Sequence, residues 1–454
     1  MKKNEIIRLE ITDVTAEGNG VGHFDGMAVF VPELISGDIA DVKIVKVLKN
    51  YCFGIIENII EKSEKRTESE CVVSEKCGGC NFRSMKYEAQ LEIKQKIVSD
   101  AFLRIGKCNV ETEKIVSCDN INRYRNKAQY PFAEINGEIK CGFYAKRSHR
   151  VVPCEDCLLQ PETFSEIVNF VLEMLNKKRK ISVYNEETNT GILRHLYIRE
   201  GCHSGKIMVC FIVRKDIRRE LNFIVKKLAE KFENIKSIVM NINPKKTNVI
   251  LGNENVVLFG KEKISDIMCG VNVDISPLSF YQVNTLQAEK LYEIAKNYAE
   301  PDKTKTLLDF YCGTGTIGLS MANSLKKLIG IEIISDAVEN AKQNALKNGF
   351  QNTEFICSDS GLAAKKLSDN GISPDIITVD PPRKGCDLNM LDAIVKMNPE
   401  KVVMISCNPA TAARDCLWLS QNGFSVRKIQ PVDLFPFTGH VECVVLMSRV
   451  NPEK

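Results

Sequence analysis

"LLDFYCGTGTIGLSMA", residues 307–322, decides the fold. Strand-forming residues Leu307 to Phe310 run into Gly313-x-Gly315, and a helix-favouring stretch carrying Gly318 follows. Glycines at this spacing let the backbone turn tightly and approach a ligand, and the helix N-terminus faces that ligand with partial positive charge. Asp309 ends the strand and is placed to brace the loop. The next apolar run, "KKLIGIEI", reaches Glu332 19 residues after Gly313, where a carboxylate can hold ribose hydroxyls. This arrangement suits the amino-acid end of S-adenosylmethionine as well as a dinucleotide.

Working outward, "TEFICSD", "PDIITVD" and "KVVMIS" alternate with helical stretches. That is the pattern of an open parallel sheet with helices on both faces, whose ligands bind at the carboxyl ends of the strands. Asp380, in "IITVDPPRKG" (376–385), stands at such an end, before a rigid Pro-Pro turn. "DPPR" is similar to the D-P-P-Y loop of amino-methyltransferases, but Arg383 replaces the aromatic that would stack on an extruded amino base, which argues against adenine N-methylation. In "VVMISCNPATAARD" (402–415) the strand runs into Cys407, and Asn408-Pro409 stops it. A thiol at this edge is either a packed small hydrophobe or a nucleophile.

Upstream the patterns change. Residues 4–60 read as about five short Val/Ile-rich strands separated by turn chemistry, a small antiparallel barrel of the oligonucleotide-binding shape. The charged run "EKSEKRTESE" (61–70) reads as a linker, and residues 86–106 as a helix ending at Gly106. Residues 121–270 mix strands and helices, with a hairpin over "YIREG" and "GKIMVCFIVR" and an amphipathic helix over "IRRELNFIVKKLAEKFENI". The predicted domains are a barrel over 1–62, a central α+β domain over 63–270 and a Rossmann-like α/β domain over 271–454. Helix 86–106 is a candidate to pack on the last of these.

Charge is uneven. Residues 1–66 carry nine Lys/Arg and eleven Asp/Glu, whereas residues 121–150 carry seven Lys/Arg against two acids, a candidate phosphate footprint. No apolar run of membrane-spanning length or signal-type start is present, so the reading places the protein in the cytoplasm. In that reducing setting 18 cysteines favour metal ligands, nucleophiles and buried thiols over disulfides. Cys71-x5-Cys77-Gly-Gly-Cys80 is the tightest group, and "CEDCLLQP" offers Cys154 and Cys157 as a fourth thiolate. Ligand number leaves zinc and iron–sulfur both open, and one distant ligand fits a 4Fe–4S cluster better than the two short pairs usual for zinc. The C-x3-C-x2-C spacing of radical S-adenosylmethionine enzymes is missing, which argues against a methylthiotransferase-like chemistry.

"SFYQVN" (279–284), "DFYCGTGTIG" (309–318), "DPPRKG" (380–385), "SCNP" (406–409) and "GHVECV" (439–444), with the barrel and the cysteine group, together resemble the RNA (uracil-5-)-methyltransferase family, in its class I branch with a TRAM domain and an iron–sulfur cluster. The resemblance covers nearly the whole chain. It implies methyl transfer from S-adenosylmethionine to C5 of a uridine in structured RNA, with 23S ribosomal RNA as first expectation and tRNA as alternative. It implies Cys407 as nucleophile and Glu442 as proton acceptor. Gln282, Tyr311, Glu332 and Asp380 would contact S-adenosylmethionine, and Cys71, Cys77, Cys80 and Cys157 would hold the 4Fe–4S cluster, with Cys154 the competing neighbour. "YRNKAQYPF" (124–132) and "GFYAKRSHRVV" (142–152) match the RNA-handling central domain. The expected partner is RNA, not DNA or membrane, and the expected state is a monomer. An inactive RNA-binding iron–sulfur protein is the reading from another class, disfavoured by the presence of both Cys407 and Glu442.

Addition of a thiolate to C6 of uracil activates C5 toward a methyl group, and a base must then remove the C5 proton. The uridine must leave its stack, which makes Phe280 and Tyr281 candidate stacking partners. The thiolate is expected to be favoured by the helix after Pro409 and by Arg383 or Arg414. His440 and Trp418 read as structural.

Overall fold

The computed structural model describes residues 1–178 and 180–450, so the last four residues of the predicted 271–454 domain lie outside the described residues. Among the described residues no helix is long and apolar enough to cross a membrane.

The N-terminal sheet runs, in spatial order, Ile6–Glu10, Ile39–Val47, Tyr51–Glu61, Met27–Pro32, Asn19–Phe24, Asp13–Val14. Its strands alternate buried and exposed positions, so Ile7, Leu9, Val29, Val31, Val42 and Ile44 fill one small core. The sheet departs from the expected antiparallel pattern at one pair: Met27–Pro32 runs parallel to Tyr51–Glu61, with Ala28 opposite Tyr51. The long strand Tyr51–Glu61 changes register against its other neighbour several times, and such bulges bend the strand. The expected linker at 61–70 is also corrected. Asp38 is buried and accepts from the Ile35 and Ser63 amides (2.7 and 3.0 Å) and from the Arg66 guanidinium (2.5 and 2.8 Å), which fastens the start of that run to the barrel.

The central sheet is ordered Glu254–Gly260, Ile235–Ile242, Ile207–Val213, Leu193–Glu200, Lys127–Ile135, Glu138–Tyr144, Val151–Pro153. Leu193–Glu200 and Ile207–Val213 pair antiparallel. Helices Glu162–Lys178 and Arg218–Lys231 lay Phe164, Ile167, Leu221 and Ile224 against its apolar face. Helix Tyr87–Arg104 precedes this sheet in sequence, yet its Val98, Ala101 and Phe102 share a core with the C-terminal sheet.

That last sheet is ordered Thr353–Cys357, Lys327–Glu332, Thr306–Phe310, Ile376–Val379, Lys401–Ser406, Glu442–Arg449, Phe424–Val432. All neighbours are parallel except at Glu442–Arg449, which is antiparallel to both strands beside it. Strand order reverses between Thr306–Phe310 and Ile376–Val379, and such a switch point opens a crevice at the carboxyl ends.

Candidate active site and cysteine cavity

The crevice is built by strand ends. Thr306–Phe310 delivers Tyr311 and the glycine loop, Ile376–Val379 delivers Asp380, and Lys401–Ser406 delivers Cys407. Glu442 opens the reversed strand, so its first residue reaches the same edge as the last residues of the parallel ones. Ser406 pairs with Cys443, which sets Cys407 beside Glu442.

In the glycine loop Gly313 and Gly315 take φ of +55° and +82°, backbone that side chains resist. Asp309 ties the loop down: its carboxylate accepts from the Thr378 hydroxyl (2.6 Å) and the Gly318 amide (3.1 Å). Burial raises its pKa to about 6 against those two hydrogen bonds. Glu332 accepts from the Gly313 and Ile334 amides at 3.1 and 2.9 Å, so its carboxylate is oriented by the loop it faces. Tyr311 has a left-handed backbone (φ +59°) and is half-buried, with its hydroxyl pKa raised by burial and then by the Cys386 thiol and the Asp387 and Asp359 carboxylates. Gln282 and Thr316 hydrogen-bond the buried Tyr292 hydroxyl, which also feels the charge of Asp380. Gln282, Tyr292, Thr316 and Asp380 therefore share one wall of the crevice. Tyr292 carries no motif, and Thr316, although inside the quoted glycine loop, is not singled out by the sequence reading. A polar, glycine-floored crevice with an oriented carboxylate on one side fits a ligand with an amino-acid end and ribose hydroxyls, as S-adenosylmethionine has.

Around Cys407 the electrostatics differ from expectation. The half-buried thiol has its pKa raised, first by burial and then by Glu442 and Asp380, and only Arg383 among side chains opposes this. Arg414 does not help, because its guanidinium is engaged by Asp415 (2.9 Å) and the Lys384 carbonyl (3.0 Å). Asn408 caps helix Pro409–Gln421 by accepting from the Ala410 amide (3.2 Å), and it donates to the Arg383 carbonyl (2.8 Å), locking the two loops together. The buried Glu442 carboxyl is pushed up to about 8 by burial and by Asp380, and Asp380 up to about 7 by burial and by Asp309. Phe280 is 67% exposed, whereas Tyr281 is 3% exposed and donates to Asp266 at 2.8 Å; Tyr281 is thus a core residue and not a stacking partner. Consecutive residues of an extended segment point opposite ways, so only one of the two can face the crevice. His440 lies edge-on to Phe435, and Trp418 is partly buried against the core.

The segment 433–441, which leads into Glu442, is pinned from far along the chain. Lys94 and Asp433 form a fully buried ion pair at 2.6 Å, and Tyr87 donates to the same carboxylate at 2.8 Å. Lys94 Nζ also donates to the Phe435 carbonyl (3.0 Å), Asn284 to the Leu434 carbonyl (3.0 Å) and Tyr124 to the Pro436 carbonyl (3.1 Å).

Cys71, Cys77, Cys80, Cys154 and Cys157 line a second cavity together with Arg83, Arg125 and Gln160. The Cys154 thiol donates to the Asp156 carbonyl (3.4 Å). Cys154 and Cys157 influence each other, with the pKa of Cys154 raised, and that of Cys157 lowered by its neighbour, by the Leu159 and Gln160 amides and by Arg125 against the effect of burial. Cys77 is raised by burial although its sulfur accepts from the Gly79 amide (3.4 Å), and Cys80 is raised to about 11 by burial. Among the described residues no three Cys, His, Asp or Glu side chains stand as a ready-made metal-binding group. The walls nevertheless suit an anionic occupant. The Nε–H donors of Arg83 and Arg125 are buried without a hydrogen-bond partner, and two guanidinium charges would offset the negative charge of a four-thiolate iron–sulfur cluster.

With this geometry established, comparison with known proteins is informative. A family model described as tRNA (Uracil-5-)-methyltransferase matches residues 86–450, and a TRAM domain model matches residues 2–56. The chain is 41% identical over 454 residues to an uncharacterized RNA methyltransferase of Clostridium tetani, covering 100% of this chain and 98% of the relative. It is 42% identical to one of Oceanobacillus iheyensis, covering 99% and 97%. The crystal structure of Pyrococcus abyssi tRNA (uracil-54, C5)-methyltransferase in complex with S-adenosyl-L-homocysteine matches with a TM-score of 0.77 at 25% identity, over 97% of this chain and 100% of that one. The chain belongs to the RNA (uracil-5-)-methyltransferase family, S-adenosylmethionine-dependent enzymes, and carries an N-terminal TRAM domain.

Proposed function

We propose that the protein methylates C5 of a uridine in structured RNA through a covalent adduct to Cys407, with Glu442 as the base that resolves it. The observation that supports this reading is the register of Lys401–Ser406 against Glu442–Arg449, which stands a thiol and a carboxyl side by side at the ligand edge. The Cys407 sulfur, as thiolate, adds to C6 of the flipped uracil, and the electron pair of the C5–C6 bond becomes an enolate. S-adenosylmethionine, when bound, supplies the sulfonium methyl that C5 attacks. The Glu442 carboxylate then takes the C5 proton, the C5–C6 double bond reforms, and the thiolate leaves. Gln282, Tyr311, Glu332 and Asp380 are the residues we assign to holding S-adenosylmethionine. Exposed Phe280 is the assigned stacking partner of the flipped base.

Cys71, Cys77, Cys80 and Cys157 are the assigned ligands of a 4Fe–4S cluster. Support for Cys157 over Cys154 comes from the resemblance and from the surroundings of the two thiols: Cys154 is buried and donates to the Asp156 carbonyl (3.4 Å), whereas Cys157 is only partly buried. The target RNA we propose is 23S ribosomal RNA, a choice resting on the resemblance to the branch carrying barrel and cluster. tRNA is the second reading, favoured by the likeness to the Pyrococcus abyssi tRNA (uracil-54, C5)-methyltransferase.

The test incubates the purified protein with methyl-labelled S-adenosylmethionine and unmodified transcripts of 23S ribosomal RNA or tRNA, then isolates denaturation-resistant protein–RNA adducts. Glu442→Gln should accumulate adduct on one RNA class and Cys407→Ala should form none. An adduct on Cys407→Ala removes the nucleophile assignment, and label entering tRNA alone replaces the ribosomal assignment.

A further inference from the structure

We infer that Asn81, beside the cysteine cavity, is a positioning residue that clasps the N-terminal barrel to the segment carrying Glu442. The inference rests on the reading of Glu442 as the base. Asn81 Oδ1 accepts from the Gly439 amide (3.2 Å), while its Nδ2 donates to the carbonyl of Ala16 in the barrel (2.8 Å). The Asn81 and Phe82 amides both donate to the Phe437 carbonyl, at 3.1 and 3.0 Å. Phe437 itself holds a left-handed backbone (φ +65°) and its amide donates to Gln90 Oε1 (2.8 Å). Its ring lies under the Arg83 guanidinium, 3.6 Å from the ring centroid.

The clasp is closed tightly on each side. A Cβ built on Gly439 would overlap the Ala16 carbonyl, and one on Gly18 would stand 2.8 Å from the Asn81 carbonyl oxygen. Three segments that are remote in sequence therefore meet at one amide side chain: the barrel turn, the residue after Cys80, and the strap three residues before Glu442. Anchors nearer the start of the strap, Asp433 to Pro436, come from helix Tyr87–Arg104, Tyr124 and Asn284. Asn81 is the side chain outside the strap that bonds closest to Glu442 among these anchors. The barrel, slightly acidic over 1–66, acts here as a brace for the catalytic strap. Misplacing the strap slows proton removal more than RNA binding or methyl transfer, since a group displaced by a fraction of an ångström loses its alignment.

The experiment compares wild type, Asn81→Ala, Asn81→Asp, Gly439→Ala and Glu442→Gln, each checked for folding by circular dichroism. Turnover, KM for RNA and the fraction trapped as denaturation-resistant adduct are measured. Asn81→Ala should lower kcat about tenfold, keep KM for RNA within about twofold and raise the trapped fraction. Asn81→Asp keeps the acceptor for Gly439 but turns a carboxylate oxygen on the Ala16 carbonyl, so its kcat should fall between those of Asn81→Ala and wild type. Gly439→Ala should mimic Asn81→Ala. If Asn81→Ala does not fold, the other two variants decide by the same readouts. Wild-type kcat in Asn81→Ala and Gly439→Ala, or a loss confined to KM with no added adduct, overturns the inference. Added adduct in Glu442→Gln but none in Asn81→Ala overturns the positioning role while the Glu442 assignment stands; no added adduct in Glu442→Gln removes the Glu442 assignment and the inference with it.

Discussion

Cys407 and Glu442 are neighbours across an antiparallel strand pair, one step beyond the pairing of Ser406 with Cys443. The reversed strand of the C-terminal sheet thus delivers its first residue to the edge where the parallel strands deliver their last. Burial is the first obstacle to charge on both groups; Glu442 and then Asp380 oppose the Cys407 thiolate, and Asp380 opposes the Glu442 carboxylate.

That coupling sets the pH dependence. The nucleophile must be a thiolate and the base a carboxylate, yet the Cys407 pKa is raised and Glu442 sits at about 8. Single-turnover rates should climb as pH rises from 6 and go on climbing through pH 9, because the Cys407 thiol titrates above its ordinary value. A rate that is flat from pH 6 to 9 would contradict this electrostatic account.

The same burial costs stability. A carboxyl whose pKa is higher folded than unfolded stabilises the fold while protonated, and that contribution is lost as pH rises toward the folded value. For Asp309, Asp380 and Glu442, at about 6, 7 and 8, the window is roughly pH 4 to 8. Glu442→Gln and Asp380→Asn should therefore raise Tm at pH 8, by about 1–3 kcal/mol in stability, and by less at pH 5. Thermal melts of each variant at the two pH values check this, and a larger gain at pH 5 would reverse the assigned sign.

Lys94 and Asp433 make a pair with both side chains fully buried. Burial draws the Lys94 pKa down, and Asp433 opposes that. Removing one partner strands the other charge, so Lys94→Met should cost about 3–5 kcal/mol, and Lys94→Met with Asp433→Asn should recover most of it. Chemical denaturation of the single and double variants measures the difference, and equal losses in both would deny the coupling.

The cysteine cavity yields a metal prediction independent of activity. Protein purified without oxygen should carry iron and labile sulfide, and Cys157→Ser should lose both. Cys154→Ser should keep them, because the buried Cys154 thiol is engaged by the Asp156 carbonyl and a serine hydroxyl can donate there in its place. Iron and sulfide assays on the two variants decide, and the opposite order would exchange the two residues.

Much of the C-terminal domain was legible because its signals are local. Buried parallel strands read as apolar runs, and the glycine loop and the Asn-Pro stop after Cys407 depend on a few adjacent residues. The environment of Cys407 was not legible in the same way. Arg414 lies on the helix that follows the thiol and looked available, but Asp415 beside it and the Lys384 carbonyl take its guanidinium. Tyr281 and Phe280 looked alike until Asp266 claimed the tyrosine hydroxyl. The run 61–70 reads as a linker, whereas its Arg66 is the partner of a buried Asp38.

The motifs announced the strands, the turns and which residues end them, since backbone preference and apolar period are properties of neighbouring residues. They did not contain the insertion of Glu442–Arg449 between Lys401–Ser406 and Phe424–Val432, nor the contacts of Asn81 with Gly439 and of Lys94 with Asp433, which are 358 and 339 residues apart. Polar residues such as Asn81, Lys94 and Asp433 each look like surface positions in the linear chain. Folding removes water from all of them together, and only then must each donor find the acceptor opposite it.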